Sequence, residues 1–212
     1  MFEIISKIPK GETINIAFSG GVDSLASSLY FKNKGFKVNL LHFNHNTEHS
    51  HEFEKHCIEL ASKMNLPITV GYNNKKPNKN QSKEDFWREI RYNFLFDNVN
   101  DNGYVITGHN LSDSVETWVW SSLHGQPRLI QPLQTIEHNN KTIKLVRPFL
   151  LNKKKTFKKY VEQNGYEEIY DPSNSDNSYT RNYIRNVMMP HVKNVNPGIE
   201  KVIYKKYKNF YY

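Results

Sequence analysis

Two short stretches hold residue types whose spacing can do chemistry. The first, Ser19-Gly20-Gly21-Val22-Asp23-Ser24, leaves an apolar run and enters a helix-forming one. Two glycines admit close approach and unusual backbone angles. The N–H groups of a strand-to-helix turn point outward, with the positive end of the helix dipole behind them. Ser19, Gly20, Gly21 and Ser24 therefore read as a phosphate cradle. It is not a Walker A loop, because the lysine and the spacing of that motif are absent. An aspartate beside phosphates repels them unless a cation intervenes, so Asp23 implies Mg²⁺ or the orientation of a cationic substrate. The plainer reading is a tight turn in which Asp23 or Ser24 only caps the helix. The second stretch is GHNLSDSVETWVW, Gly108 to Trp120. Asp113 and Glu116 share one face of a helix and can hold Mg²⁺ or receive an ammonium group. Equally, D-x-x-E at a helix start reads as a capping box that uses both carboxylates structurally.

The elements that must position these residues alternate along the chain. The apolar runs TINIAFS, FKVNLLHF, PITVGY and GYVITGH are followed by amphipathic stretches at Ser24–Asn33, Glu52–Met64, Glu84–Asn98 and Asp113–Leu123. That order predicts βαβ units and an α/β fold with a doubly wound parallel sheet covered by helices on both faces. Ligands bind such sheets outside the carboxyl ends of the strands, where both polar stretches fall. The polar segment 73–82 reads as an exposed loop. A hairpin is expected around His138–Asn140 and a helix at Lys153–Gln163, stopped by Asn164-Gly165. After a turn-rich segment containing DPSN, Asp171 to Asn174, the pattern predicts a helix over Thr180–Met189, closed by Pro190. The expected organisation is a catalytic domain over 1–150 with a basic, mainly helical extension over 151–212.

Composition narrows the function classes. Residues 1–140 carry 14 Lys+Arg against 15 Asp+Glu, whereas 141–212 carry 15 against 6, so the net charge of +8 resides in the last third. There it is interleaved with aromatics, as in KKKTFKKY and YKKYKNFYY, the expected footprint of a nucleic-acid contact or else a solubilising surface. A single cysteine, Cys57, excludes an internal disulfide framework and any CxxC pair, and disfavours sulfur transfer through paired cysteines. The first residues lack the apolar core of a signal peptide, and no apolar stretch approaches ~20 residues, so a soluble, cytoplasmic protein without membrane association is expected. The run containing His42, His45, His49 and His51 has neither a cysteine pair nor an HExxH pattern, so it does not read as a zinc site.

Taken together and in this order, SGGVDS and GHNLSDSVET resemble the N-type ATP pyrophosphatase, or PP-loop, family, and within it the tRNA(Ile)-lysidine synthetases. REIRY at Arg88–Tyr92, RPFL at Arg147–Leu150, DPSN, RNYIR at Arg181–Arg185 and Pro190 extend the resemblance along almost the whole chain. The resemblance implies an adenine nucleotide alpha hydrolase-like fold. It also implies an ATP-dependent ligase that adenylates C2 of the wobble cytidine of tRNA(Ile) (CAU anticodon), releases pyrophosphate, and lets the ε-amine of free lysine displace AMP.

On that reading Asp23, Asp113 and Glu116 are catalytic, and Asp23 and Asp113 hold Mg²⁺. Ser19, Gly20, Gly21, Asp23, Ser24, His42 and His109 bind ATP; Arg147, Lys153, Lys154, Lys155, Arg181 and Arg185 contact RNA or phosphate. The chemistry suits the residues: cytosine O2 leaves only as an adenylate, and a lysine amine with a pKa of ~10.4 must be bound and deprotonated before it attacks. Many members of this family carry further C-terminal domains, so recognition of tRNA here is expected to involve a homodimer, a helper protein or a reduced anticodon-stem substrate, or else the RNA is a different one. The alternatives to the lysidine reading are a PP-loop adenylating enzyme that uses another amine or another RNA, and a non-catalytic RNA-binding module.

Overall fold

The computed structural model describes residues 3–79, 81–168 and 175–211; DPSN lies outside the described residues. The elements in chain order are β1 (Thr13–Ala17), α1 (Val22–Asn33), β2 (Lys37–Asn44), α2 (Ser50–Lys63), β3 (Ile68–Tyr72), α3 (Lys83–Asp97), β4 (Tyr104–Ile106), α4 (Leu111–Leu123), β5 (Leu133–His138), β6 (Lys141–Val146) and α5 (Lys154–Gln163). The chain continues through α6 (Thr180–Tyr183), a π-helical turn (Ile184–Met188), α7 (Met189–Val195) and α8 (Ile199–Tyr211).

The sheet order is β3-β2-β1-β4-β6-β5. All pairs are parallel except β5–β6, the expected hairpin at the edge. Its turn, Asn139-Asn140, has φ of 48° and 61°, the left-handed pair that a tight twisted hairpin requires and that asparagine tolerates. The strand order reverses between β1 and β4, which opens a crevice at their carboxyl ends.

Alternation along the strands assigns the two faces. Ile14, Ile16, Leu40, Ile106 and Val146 point to one side, where Leu25 and Leu29 of α1, Leu60 of α2 and Phe157 and Val161 of α5 cover them. Leu41, Val105, Ile143 and Leu145 point to the other, under Leu95 and Phe96 of α3. A third cluster joins Leu111 and Val115 of α4 to Ile184, Met189, Ile203 and Tyr207, which fastens the C-terminal helices to the end of the sheet. The Tyr207 hydroxyl, fully buried, donates to the Ile130 carbonyl at 2.9 Å. Among the described residues no helix is long and apolar enough to cross a membrane.

One helix departs from expectation. Pro190 does not close the Thr180 helix; it sits in the first turn of α7, and helical backbone runs on to Val195. The turn before it is wide, and the Met189 N–H donates to the Ile184 carbonyl five residues back. The change of hydrogen-bond register comes just before proline, which then stands in the first turn of α7, a position where a missing N–H and a fixed φ are tolerated.

Candidate active site

Helix α1 begins at Val22, so Asp23 and Ser24 lie within its first turn. Gly21 occupies the cap position, and no side chain caps the helix. The plainer expectation, that Asp23 or Ser24 caps it, is therefore corrected. Instead the Ser24 hydroxyl braces the loop: it donates to the Gly21 carbonyl at 2.9 Å and accepts from the Ser19 N–H at 3.2 Å. Gly20 has φ +75°, and a Cβ there would stand 3.0 Å from Cys57 Sγ, so both conformation and space call for glycine. The result is a helix start with its amides directed at the crevice, a geometry that favours an anion.

Helix α4 begins in the opposite manner. Its cap is Asn110, whose side chain accepts from the N–H groups of Ser112 and Asp113, while the Asp113 carboxylate accepts from the Asn110 N–H at 2.8 Å. The capping box is thus Asn110 with Asp113, and not Asp113 with Glu116 as D-x-x-E suggests. Glu116 takes no part in it. Its two oxygens accept from Nε and Nη2 of Arg185, both at 2.9 Å. Asp113 Oδ1 accepts from Arg181 at 2.8 Å and from Arg185 at 3.0 Å. Arg181 and Arg185, expected at phosphate or RNA, are placed against the two acids; the helix that carries them, more than 60 residues on in sequence, closes over α4.

Asn110 also joins the two clusters. Its amide donates to Asp23 Oδ1 at 3.2 Å. Gly108 makes the approach possible, because a Cβ there would lie 2.8 Å from the Asp23 carbonyl oxygen. The sequence alone points to neither residue as such a link. Asn110 carried a usable signal, since asparagine immediately before a helix is a preferred cap. Gly108 carried none, because the contact it permits is tertiary.

The electrostatics divide the acids. Burial, and next the negative charge of Asp113, push Asp23 up to about 6, against the pull of Lys154, Asn110 and Arg185. Burial also works to raise Asp113, but Arg181, His109, the Asn110 N–H and Arg185 outweigh it and hold that carboxyl below the usual range. His109 bonds to the Thr107 hydroxyl through Nδ1 at 2.8 Å. Burial drives its pKa down to about 3, with Asp113 opposing and Arg181, Arg147 and Arg88 assisting, so the ring is neutral at ordinary pH. His42 contacts the Phe18 carbonyl at 2.9 Å through Nδ1; a carbonyl only accepts, so that nitrogen bears the proton. Its ring is buried at the carboxyl end of β2, next to β1.

The basic candidates separate. Lys153 pairs with Glu200 of α8 at 3.3 Å, Lys155 is exposed, and Lys154 lines a cleft of about 170 Å³ with Glu116, Arg185, Lys193 and Glu200. Arg147 is buried at the end of β6 and donates to the Gln131 carbonyl at 2.8 Å.

The profile of the PP-loop domain matches residues 2–192. A tRNA(Ile)-lysidine synthase of Buchnera aphidicola subsp. Schizaphis graminum is 34% identical over 181 residues, spanning 82% of this chain and 40% of the relative. One from Persephonella marina is 31% identical over 206 residues, spanning 92% and 44%. The chain thus spans less than half the length of these curated relatives. Among solved structures, the U34-tRNA thiolase NcsA from Methanococcus maripaludis superposes with a TM-score of 0.71 at 14% identity, covering 96% of this chain and 73% of its own. The NH3-dependent NAD synthetase from Campylobacter jejuni reaches 0.54 at 12% identity over 98% and 89%. At these identities the likeness speaks for the fold.

Proposed function

This chain belongs to the PP-loop family, and on that premise we propose that it adenylates a nucleobase carbonyl of tRNA with ATP and joins an amine to the activated carbon. The base is the wobble cytidine of tRNA(Ile) with a CAU anticodon, activated at C2, and the amine is the ε-amino group of free lysine. The observation that carries this reading is the Asn110 bridge: the phosphate-facing turn of α1 and the charged start of α4 form one site, with Asp23 and Asp113 both hydrogen-bonded to the same residue.

In this scheme the first-turn amides of α1 bind the triphosphate and steady the charge that develops as cytosine O2 attacks the α-phosphorus and pyrophosphate departs. Mg²⁺ suits a site of one or two carboxylates completed by phosphate oxygens. Asp23 fits that description, since a dication would relieve its burial and the repulsion from Asp113. Asp113 fits less well, because one oxygen is taken by a backbone N–H and the other by two guanidinium groups. The ion would supply charge neutralisation at the phosphates. The cleft beside Glu116 offers cations in Arg185, Lys154 and Lys193 and anions in Glu116 and Glu200, which suits a zwitterionic amino acid bearing a further ammonium group. Glu116 lines that cleft with both oxygens held by Arg185, so we assign it to receive the proton once the incoming ammonium group has displaced that guanidinium, as the amine attacks and AMP leaves.

Nucleoside mass spectrometry of tRNA(Ile) incubated with the protein, ATP, Mg²⁺ and lysine tests the proposal. A lysine-mass adduct on the wobble cytidine, with AMP formed, is the expected outcome. AMP without the adduct would move the proposal to another amine or RNA. Neither product would leave an RNA-binding module.

A further inference from the structure

Three arginines gather around one phenol on the face of the sheet opposite α1. Arg88 and Arg91 of α3 hold their guanidinium carbons 4.8 and 5.6 Å from the Tyr92 ring centroid, and Arg147 lies beside the same side chain. Arg147 is only 4% exposed, and its Nε is buried without a hydrogen-bond partner. Among the described residues the arginine ion pairs are those of Arg181 and Arg185 with Asp113 and Glu116, so no carboxylate balances this second group. Two acids share its groove, but both are turned to neutral partners. Asp85 accepts from the Ser82 hydroxyl and Glu89 from the Gln81 amide, each at 2.7 Å. The groove, about 370 Å³, runs between α3 and the β5–β6 hairpin, with Arg88, Tyr92 and Arg147 along it and Gln134 and Ile136 on the strand side. Uncompensated guanidinium groups beside an aromatic ring match the chemistry that holds an RNA backbone.

We propose that this groove binds a phosphodiester of the substrate RNA strand, a reading that rests on RNA being the substrate. The alternative source of such an anion is ATP, and the topology disfavours it. The α1 turn lies on one face of the sheet and the groove on the other, and β6 is two strands from β1, roughly 10 Å at ~4.8 Å per strand. An extended strand crossing the carboxyl edge would meet both. His109 stands on that edge within the field of Arg88 and Arg147 as well as of Asp113, so a base presented there would have its own backbone over the groove.

Fluorescence anisotropy with a labelled CAU anticodon stem-loop, repeated over a range of KCl, tests this with Arg88→Gln and Arg147→Lys. Arg88→Gln should raise the RNA Kd about five- to tenfold and make the slope of log K against log salt shallower by about 1, with Tm and ATP affinity unchanged. Arg147→Lys, which keeps the charge but loses the planar fork, should weaken RNA about threefold or more. RNA affinity and slope equal to wild type in both variants would overturn the proposal. So would a loss of ATP affinity at unchanged RNA affinity, which would give the groove to the nucleotide. Mass spectrometry of the wild-type reaction separates the two proposals. Weakened RNA binding in the variants with no lysine adduct in wild type leaves the groove standing and removes the lysidine chemistry; an adduct with unaltered variant binding does the reverse.

Discussion

Helices α1 and α4 start side by side at the same edge of the sheet, and their beginnings are treated in opposite ways. The α1 start has a glycine in the cap position, no side-chain acceptor for its amides, and an aspartate that burial and a like charge make reluctant to ionise. The α4 start has a full capping box, and its acids are matched by two arginines. One end is left for a ligand to complete; the other is completed by the protein and holds charge in place. The local rule of helix capping is thus broken at the α1 start and kept at the α4 start, and the broken rule marks the end that a ligand completes.

The sharpest way to break this comparison is Asp23→Asn. AMP formation should fall by roughly two to three orders of magnitude, as expected when a group at the transferring phosphate is lost. Stability should move the other way. A carboxyl raised from 3.8 to about 6 favours the fold fully below pH 3.8, and that contribution is lost as pH rises through about 6, where the ionised form weighs against the fold. The variant should therefore gain up to about 3 kcal/mol at pH 8 and nothing at pH 3.5. Thermal melts at several pH values check this, and a destabilised variant at pH 8 would contradict it.

Asn110→Ala removes both the α4 cap and the bridge to Asp23, and should cost roughly 2 kcal/mol in urea unfolding. Restoring only the cap with Asn110→Ser should recover stability but not AMP formation, which separates the two duties. Gly20→Ala should cost about 1–2 kcal/mol, and Cys57→Ala in the same chain should recover only the part owed to contact, because the positive φ persists. The smallest effect belongs to Lys153→Gln. Its pairing with Glu200 is exposed and should be worth under about 0.5 kcal/mol, so a larger shift in Tm would show that α8 is fastened there and not by Tyr207.

Much of this was legible in the sequence because it is local. Alternating apolar runs gave the strands, and the glycine and aspartate clusters had to fall in loops at their carboxyl ends. The HNN turn announced the hairpin through residues that tolerate positive φ. What the sequence does not reveal depends on partners distant along the chain. Arg181 and Arg185 look like free cations until the chain returns them to Asp113 and Glu116, some 70 residues earlier. Glu116 looks like half of a cap until Asn110 is seen to fill that place. Pro190 carries the ordinary meaning of a stop, and only a change of register one turn earlier gives it another.

That change of register bears on how this helix tolerates variation in length. Successive residues of an α-helix are displaced by ~100° around its axis, so one extra residue absorbed by a wide turn rotates everything downstream by that angle. Ile184 and Arg185 are read in one phase, and Met189 and Val192 meet the core in the next. Shortening the stretch 184–188 by a single residue would tidy the helix while turning Met189 out of its socket and swinging the root of α8 around the axis. At this point in the chain the number of residues is under tighter constraint than the identity of any one of them.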